Sequence, residues 1–196
     1  MLPKIVKRSM IGRFINWYRY MIIIQDRPST LYAREYFKNK KINAMELGVL
    51  EGINSYSLLK RLNIEKMFLV DSYEDYVMDG RLVTDSKGCF EVAKSLLKPF
   101  NDRIVFIRKY SSDAVDDVPD GLDFVYIDAN HQYDFVKKDI ELYFSKVRVG
   151  GIIGGHDFNF VGVGRAVCEF VMDNGQRLFV GDGLYRGGMD WWLIKN

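Results

Sequence analysis

Four acidic residues, Glu46, Asp71, Asp128 and Asp157, each stand at or just past the end of a short β-rich run. In an open α/β sheet the carboxyl edge of the strands is where ligands bind, beside the point where strand order reverses. One strand-end acid alone reads equally well as a cap for the next helix; four together favour a site. Glu46 opens the segment Glu46-Leu-Gly48-Val-Leu-Glu-Gly52-Ile-Asn-Ser. Its glycines let a backbone approach a ligand closely, and the helix start that follows offers unpaired N–H groups. A pyrophosphate turn would read G-x-G-x-x-G. Here the pattern is G-x-x-x-G with a carboxylate two residues ahead of Gly48, which suits an ammonium group better than phosphates. Asp71 ends the apolar run Met67–Val70 and is placed to accept hydrogen bonds from a ribose diol. That feature indicates a nucleoside without deciding which.

The densest cluster is Asp123-Phe-Val-Tyr-Ile-Asp128-Ala-Asn-His131-Gln-Tyr133, then Asp139, then Val149-Gly-Gly-Ile-Ile-Gly-Gly-His156-Asp157-Phe158. His131 and His156 are the only histidines in the chain, and an imidazole near its ordinary pKa of ~6.5 is suited to general-base work. A lone histidine is more often a structural hydrogen-bonding residue; two in loops framing one cleft favour a direct role for at least one.

Positioning these groups requires an alternation of strands and crossover helices, and the chain shows it from about Ile42 onward. The expected strands are Ile42–Leu47, Met67–Val70, Ile104–Ile107, Leu122–Ile127, Gly151–Gly154, Leu178–Val180 and Trp191–Ile194. Val92, Leu96 and Leu97 recur at helical spacing before Pro99. Val136, Ile140, Tyr143, Phe144 and Val147 form a second stripe, closed by Gly150-Gly151. Val163, Val167, Phe170 and Val171 form a third, with Asn174-Gly175 as its stop signal. Trp191 and Trp192 alternate across the last strand, so one is expected in the core and the other at a subunit contact. The loop Tyr73–Asp85 is long for a strand-to-helix connection and lies at the ligand edge.

The bulk numbers set the frame. A chain of 196 residues with 48% apolar and 28% charged residues fits one globular domain with a real core. A net charge of +2 gives no reason to expect a nucleic-acid partner. Its distribution is uneven: residues 1–41 hold ten Lys/Arg against two acids, Asp26 and Glu35. The division expected is a basic amphipathic helical arm over residues 1–41 and a ligand-binding domain over 42–196. Ile11, Phe14, Ile15, Tyr18 and Ile22 share a helical face in the arm. That face fits packing on the domain or on a second copy of the chain, or peripheral membrane contact through residues 1–24. Cys89 and Cys168 show no metal-ligand spacing, and no apolar run reaches the ~18 residues of a membrane span. A cytoplasmic location is expected.

On the Glu46/Gly48/Gly52 turn, the I-D-x-x-H-x-Y segment at Asp128–Tyr133, and the Gly-Gly strand ending in His156-Asp157, the chain resembles a class I S-adenosylmethionine-dependent methyltransferase. The similarity is to the group of macrocin and other sugar O-methyltransferases, over roughly residues 42–196. The resemblance implies a Rossmann-like α/β fold, a seven-stranded sheet with helices on both faces, with the N-terminal helical arm added. It implies cofactor contacts at Glu46, Gly48, Gly52, Asp71, Ser72, Ser111, Ser112 and Asp128, and a catalytic set of His131, Asp128 and His156. Asp128 and Asp157 match acids that hold a divalent cation such as Mg²⁺ in metal-dependent relatives. The usual third ligand position is Phe158 here, which leaves Asn159 or Asn130 to complete such a site. The implied reaction is O-methylation of a small-molecule or glycan hydroxyl, by histidine base catalysis or with metal assistance. Two other readings stand beside it: a non-catalytic nucleoside-binding or membrane-docked scaffold, and a nicotinamide-dependent oxidoreductase. The latter would want the missing G-x-G-x-x-G.

Overall fold

The computed structural model describes residues 27–75, 77–78, 81–82, 86, 88–182 and 188–196. The helical face at Ile11–Ile22, and the membrane contact assigned to residues 1–24, lie outside them. No helix among the described residues is long and apolar enough to cross a membrane.

Seven strands form one sheet: β1 (Ile42–Leu47), β2 (Ile64–Val70), β5 (Ile104–Ile107), β6 (Leu122–Ile127), β7 (Val147–Gly155), β8 (Phe179–Asp182) and β9 (Met189–Ile194). A separate two-residue ladder, β3 (Val77–Met78) with β4 (Arg81–Leu82), lies in the long loop after β2. The order in the main sheet is β5-β2-β1-β6-β7-β9-β8. The first five strands are parallel, and β9 and β8 close the edge antiparallel. Strand order reverses between β1 and β6, so the crevice outside their carboxyl ends is where a ligand is received. The strands read as near-continuous apolar runs because helices cover both faces.

Alternate residues feed two cores. Met45, Leu47, Val125, Ile127 and Ile153 face α5 (Tyr133–Lys146) and α6 (Val161–Asp173). Ala44, Met67, Leu69, Phe124, Tyr126 and Ile152 face α1 (Pro28–Phe37), α2 (Ile53–Arg61) and α3 (Cys89–Leu97).

Three sequence expectations are corrected. Val147 is the first residue of β7 and not the end of α5: helix α5 stops at Lys146, and Val147 pairs with Leu122. The β-branched Val-Arg-Val segment favours a strand, and Gly150, at φ 73°, absorbs the irregularity that follows. Val92 lies on the exposed side of α3, whose buried face is Cys89, Ala93 and Leu97. Trp191 and Trp192 are both buried, at 1% and 7% exposure. Trp192 is covered within the chain by Tyr32 of α1 and by Phe179, the latter stacked at 5.8 Å.

That covering helix begins at Pro28, which sits at the first helical position, where a missing N–H costs nothing. Ala33 and Phe37 enter the second core, so packing against the sheet continues ahead of residue 42. The helix is tied down by a buried polar knot. Asp190 Oδ2 accepts hydrogen bonds from the Ser29 amide (3.1 Å) and the Ser29 hydroxyl, and Oδ1 accepts one from the Tyr126 hydroxyl at 3.0 Å. Asp190 is 1% exposed, and a buried carboxylate persists only with such donors. Asp190→Ala should therefore lower unfolding stability by about 2–3 kcal/mol, since it strands three buried donors. Urea denaturation checks this.

Candidate active site

Along the carboxyl edge of the parallel strands runs a cavity of about 560 Å³, within the range of small-molecule sites. Glu46 and Gly48 reach it from the end of β1, Asp71 and Ser72 from β2, Ser111 from the short helix α4 (Ser111–Ala114) after β5, and Asp128 and His131 from β6. Gly52, Ser112, His156 and Asp157 are outside its lining.

The glycine turn is built against the neighbouring strand. Gly48 has φ 85°, and a Cβ there would fall 2.0 Å from the Asp128 carbonyl oxygen. The close approach that demands glycine is thus to the β6 backbone, although Gly48 also lines the cavity. Gly52, outside the lining, caps α2 in the left-handed region, and its missing Cβ admits Leu97 and Ala93 of α3. Asp71 shapes the turn: its Oδ2 accepts the amides of Val49 and Leu50, both at 2.8 Å, and its Oδ1 accepts that of Tyr73 at 2.7 Å. A carboxylate has about four acceptor sites, so Asp71 can hold this turn and still receive a ligand hydroxyl. Ser112 is exposed and donates to Asp113 at 3.1 Å; it points its chemistry away from the cavity.

Glu46 lies at the cavity wall, 1% exposed. It accepts hydrogen bonds from Asn54 Nδ2 at 2.9 Å and from the Ser55 hydroxyl. Burial pushes its carboxyl up to about 7, with those two hydrogen bonds pulling the other way. A buried group that titrates near neutrality and faces a cavity is a common mark of a functional site.

At the other end Asp128, His131 and Asp157 converge, one ligand atom from each lying within 4.8 Å of the others. His131 Nε2 is 3.1 Å from Asp157 Oδ2 and 3.8 Å from Asp128 Oδ1, yet has no aligned hydrogen-bond partner among the described residues. The Asp128 carboxylate raises the pKa of His131; burial opposes this and Asp157 adds to it. Burial works against ionisation of Asp128, but His131 and the Arg27 charge outweigh it and hold that carboxyl at about 2. Asp157 takes a left-handed conformation, φ 58°, which is uncommon outside glycine and clusters at functional sites. Its other oxygen is 3.1 Å from His156 Nδ1. His156 packs its ring against Gly188, where a Cβ would fall 2.1 Å away. It therefore supports Asp157 from behind and does not face the cavity.

Arg27 was not singled out by the sequence reading. Its Nη1 donates to Asp128 Oδ2 at 3.1 Å and to the Tyr126 hydroxyl, and its guanidinium lies over the Tyr126 ring, 5.3 Å from the centroid. Burial works against its charge, but Tyr126, Asp128 and Asp190 outweigh this and hold it firmly protonated. In the sequence it is one of ten basic residues in the first 41, and nothing in its spacing separates it from the others. Asp139 also lines the cavity, from α5, at 2% exposure. Burial pushes it up to about 6, against a hydrogen bond from Ser111.

A cleft of this volume at a topological switch point, lined by acids from β1, β2 and the end of β6, is the ligand-receiving edge of a Rossmann-like fold. A family model described as a methyltransferase domain matches residues 45–158, and the chain belongs to that family. Its fold is that of the class I S-adenosylmethionine-dependent methyltransferases. An uncharacterised protein of Acanthamoeba polyphaga mimivirus is 25% identical over 163 residues, 79% of this chain and 65% of that protein. The chain thus spans about two thirds of the length of that relative. Among solved structures, an O-methyltransferase from Bacillus cereus in complex with SAH superposes with a TM-score of 0.66 at 15% identity, covering 100% of this chain and 93% of that one. A precorrin-6y methyltransferase from Geobacter metallireducens gives 0.63 at 14% identity, over 85% of this chain and 87% of that one. These likenesses concern the fold, and family membership sets aside the oxidoreductase reading.

Glu46 yields a stability test. Its folded pKa lies above the ordinary carboxylate value, so its contribution is full at acid pH and is lost as pH rises through about 7. Glu46→Gln removes that titration. Between pH 5 and pH 8, urea unfolding should show the variant gaining on the parent by about 2.5 kcal/mol.

Proposed function

We propose that the chain uses S-adenosylmethionine to methylate a hydroxyl oxygen of a small molecule or glycan. The observation that carries this reading is one continuous cavity, which joins a nucleoside-type end at Asp71 and Ser111 to the Asp128/His131 cluster, with the buried Glu46 between. The chain's donors and acceptors fit that cofactor. Asp71 suits the ribose diol, the exposed Phe135 and Leu50 on the cavity wall suit a flat base, and Glu46 suits an ammonium. When bound, S-adenosylmethionine supplies a methyl on a sulfonium, which passes to the acceptor oxygen as the S–C electron pair returns to sulfur. His131, placed between Asp128 and Asp157, takes up the hydroxyl proton as the O–C bond forms, and the adjacent carboxylates stabilise the imidazolium. Alignment of the acceptor by this cluster supplies much of the remaining acceleration.

A second activation mode is favoured by the geometry of the cluster and the unpartnered Nε2 of His131. Asp128 Oδ1, Asp157 Oδ2 and His131 Nε2 have the spacing and chemistry to hold a divalent cation. Such an ion would supply Lewis acidity that lowers the hydroxyl pKa. The mixed N/O donor set suits Mn²⁺ at least as well as Mg²⁺, and His131, not Phe158 or its neighbours, provides the third position.

Isothermal titration should show S-adenosylmethionine and S-adenosylhomocysteine binding at micromolar levels and NAD not binding; the opposite pattern overturns the cofactor assignment. Asp71→Ala should weaken binding by about 1.5–3 kcal/mol. With a competent acceptor in hand, chelation distinguishes the two modes. If chelation abolishes turnover and Mn²⁺ or Mg²⁺ restores it, the metal acts; if chelation is neutral while His131→Ala is inactive, the base acts. Full activity of both His131→Ala and Asp157→Asn would place the chemistry elsewhere.

A further inference from the structure

Arg27 and Glu46 line the same cavity and lie close enough that each charge acts on the other. A cation and an anion in the lining of one cavity form a complement to a zwitterion, with the carboxylate of a ligand against the guanidinium and its ammonium against Glu46. Asn54 stands in the same wall and bonds Glu46, which fixes that carboxylate for an incoming N–H donor.

We propose that Arg27 binds the α-carboxylate at the amino-acid end of the cofactor, so that residues ahead of helix α1 complete the cofactor site. The inference rests on the S-adenosylmethionine reading above and adds to it a residue outside the 45–158 family match. Guanidinium chemistry permits the double duty. Among the described residues, its bonds to Asp128 and to Tyr126 both leave from Nη1, whereas a guanidinium carries five N–H donors in a planar fork. The side chain is 27% exposed at the wall of the cavity, so part of that fork meets its contents. Its position is set from beneath, because Tyr126 also bonds Asp190, which in turn holds Ser29 at the start of α1. The fork is therefore pre-aligned before any ligand enters, and pre-alignment lowers the ordering cost of binding. Asp128 pins one nitrogen and prevents the arginine from turning out of the cleft.

The test compares two ligands that share the nucleoside and differ in the amino-acid end: S-adenosylhomocysteine, which has it, and 5′-methylthioadenosine, which lacks it. Affinities are measured by isothermal titration on the full chain. In Arg27→Ala the affinity for S-adenosylhomocysteine should fall about ten- to a hundredfold, the loss of a charge-assisted contact, while that for 5′-methylthioadenosine changes less than about threefold. Arg27→Lys, which keeps the charge and loses the fork, should fall between, and serves alone if the alanine variant does not fold. Equal losses for both ligands would make Arg27 a structural residue and overturn the proposal, as would an unchanged S-adenosylhomocysteine affinity. If the parent protein binds neither ligand, the cofactor reading itself falls. If it binds both and only the ratio fails to move, the Arg27 assignment alone falls.

Discussion

Like charges crowded at one edge of a sheet are the constraint around which this molecule is organised. Glu46, Asp71, Asp128 and Asp157 arrive at that edge because each ends or follows a parallel strand, and in a partly buried cleft they cannot all ionise freely. The structure answers each differently. Asp71 spends its charge on three backbone amides of neighbouring turns. Asp128 is kept ionised by Arg27 and His131. Asp157 faces both histidines. Glu46 has neutral donors only, Asn54 and Ser55, and is the one pushed towards neutrality. The least compensated carboxylate is thus also the most receptive to a cationic ligand.

The compensation for Asp128 comes from outside the alternating α/β unit, which explains why helix α1 packs as it does. A buried ion pair is worth little by itself because desolvation offsets the attraction; its use is to fix one arrangement. Arg27 can reach Asp128 only if α1 lies across β8 and β9, and the Ser29–Asp190–Tyr126 bonds with the Tyr32–Trp192–Phe179 stack hold it there. Aromatic packing and site electrostatics are therefore coupled through ten residues of helix. Removing the helix together with Arg27 would uncover Trp192 and leave Asp128 with the two histidines as the remaining neighbours that favour its ionised form.

Much of this architecture was legible in the sequence. The five parallel strands of the main sheet are legible because fully covered parallel strands announce themselves as short apolar runs, Ile42–Leu47 and Leu122–Ile127 most plainly. The acids at their ends followed directly. Legibility failed where meaning depended on a distant neighbour. Gly52 looked like a ligand-facing glycine, and only the position of Leu97 reveals a packing contact. Trp192 looked half exposed because helix α1, with mixed polarity and no strong stripe, gave no sign that it covers that face. Val147 continued a helical spacing by coincidence, since its periodic neighbours could not show that β6 was waiting to pair with it. Arg27 had no local signature because its role is electrostatic and its partners lie 99 and 101 residues away.

The same dependence on distant neighbours limits what fold alone says about chemistry. The O-methyltransferase and the precorrin methyltransferase superpose on this chain about equally well, so the scaffold does not select the acceptor. On the proposed reading, selection belongs to the residues beyond Asp128. There the His131 ring lies 5.3 Å from the half-exposed Phe160, at the junction where α6 begins. The start of that helix is pressed so closely on the His131 loop that a Cβ at Gly162 would fall 2.5 Å from the His131 carbonyl. The imidazole is thus held through its backbone by one helix and through its ring by two carboxylates. A side chain fixed from both sides is a reference point, and under the proposed mechanism the walls around it, rather than the sheet beneath, decide which acceptor hydroxyl arrives.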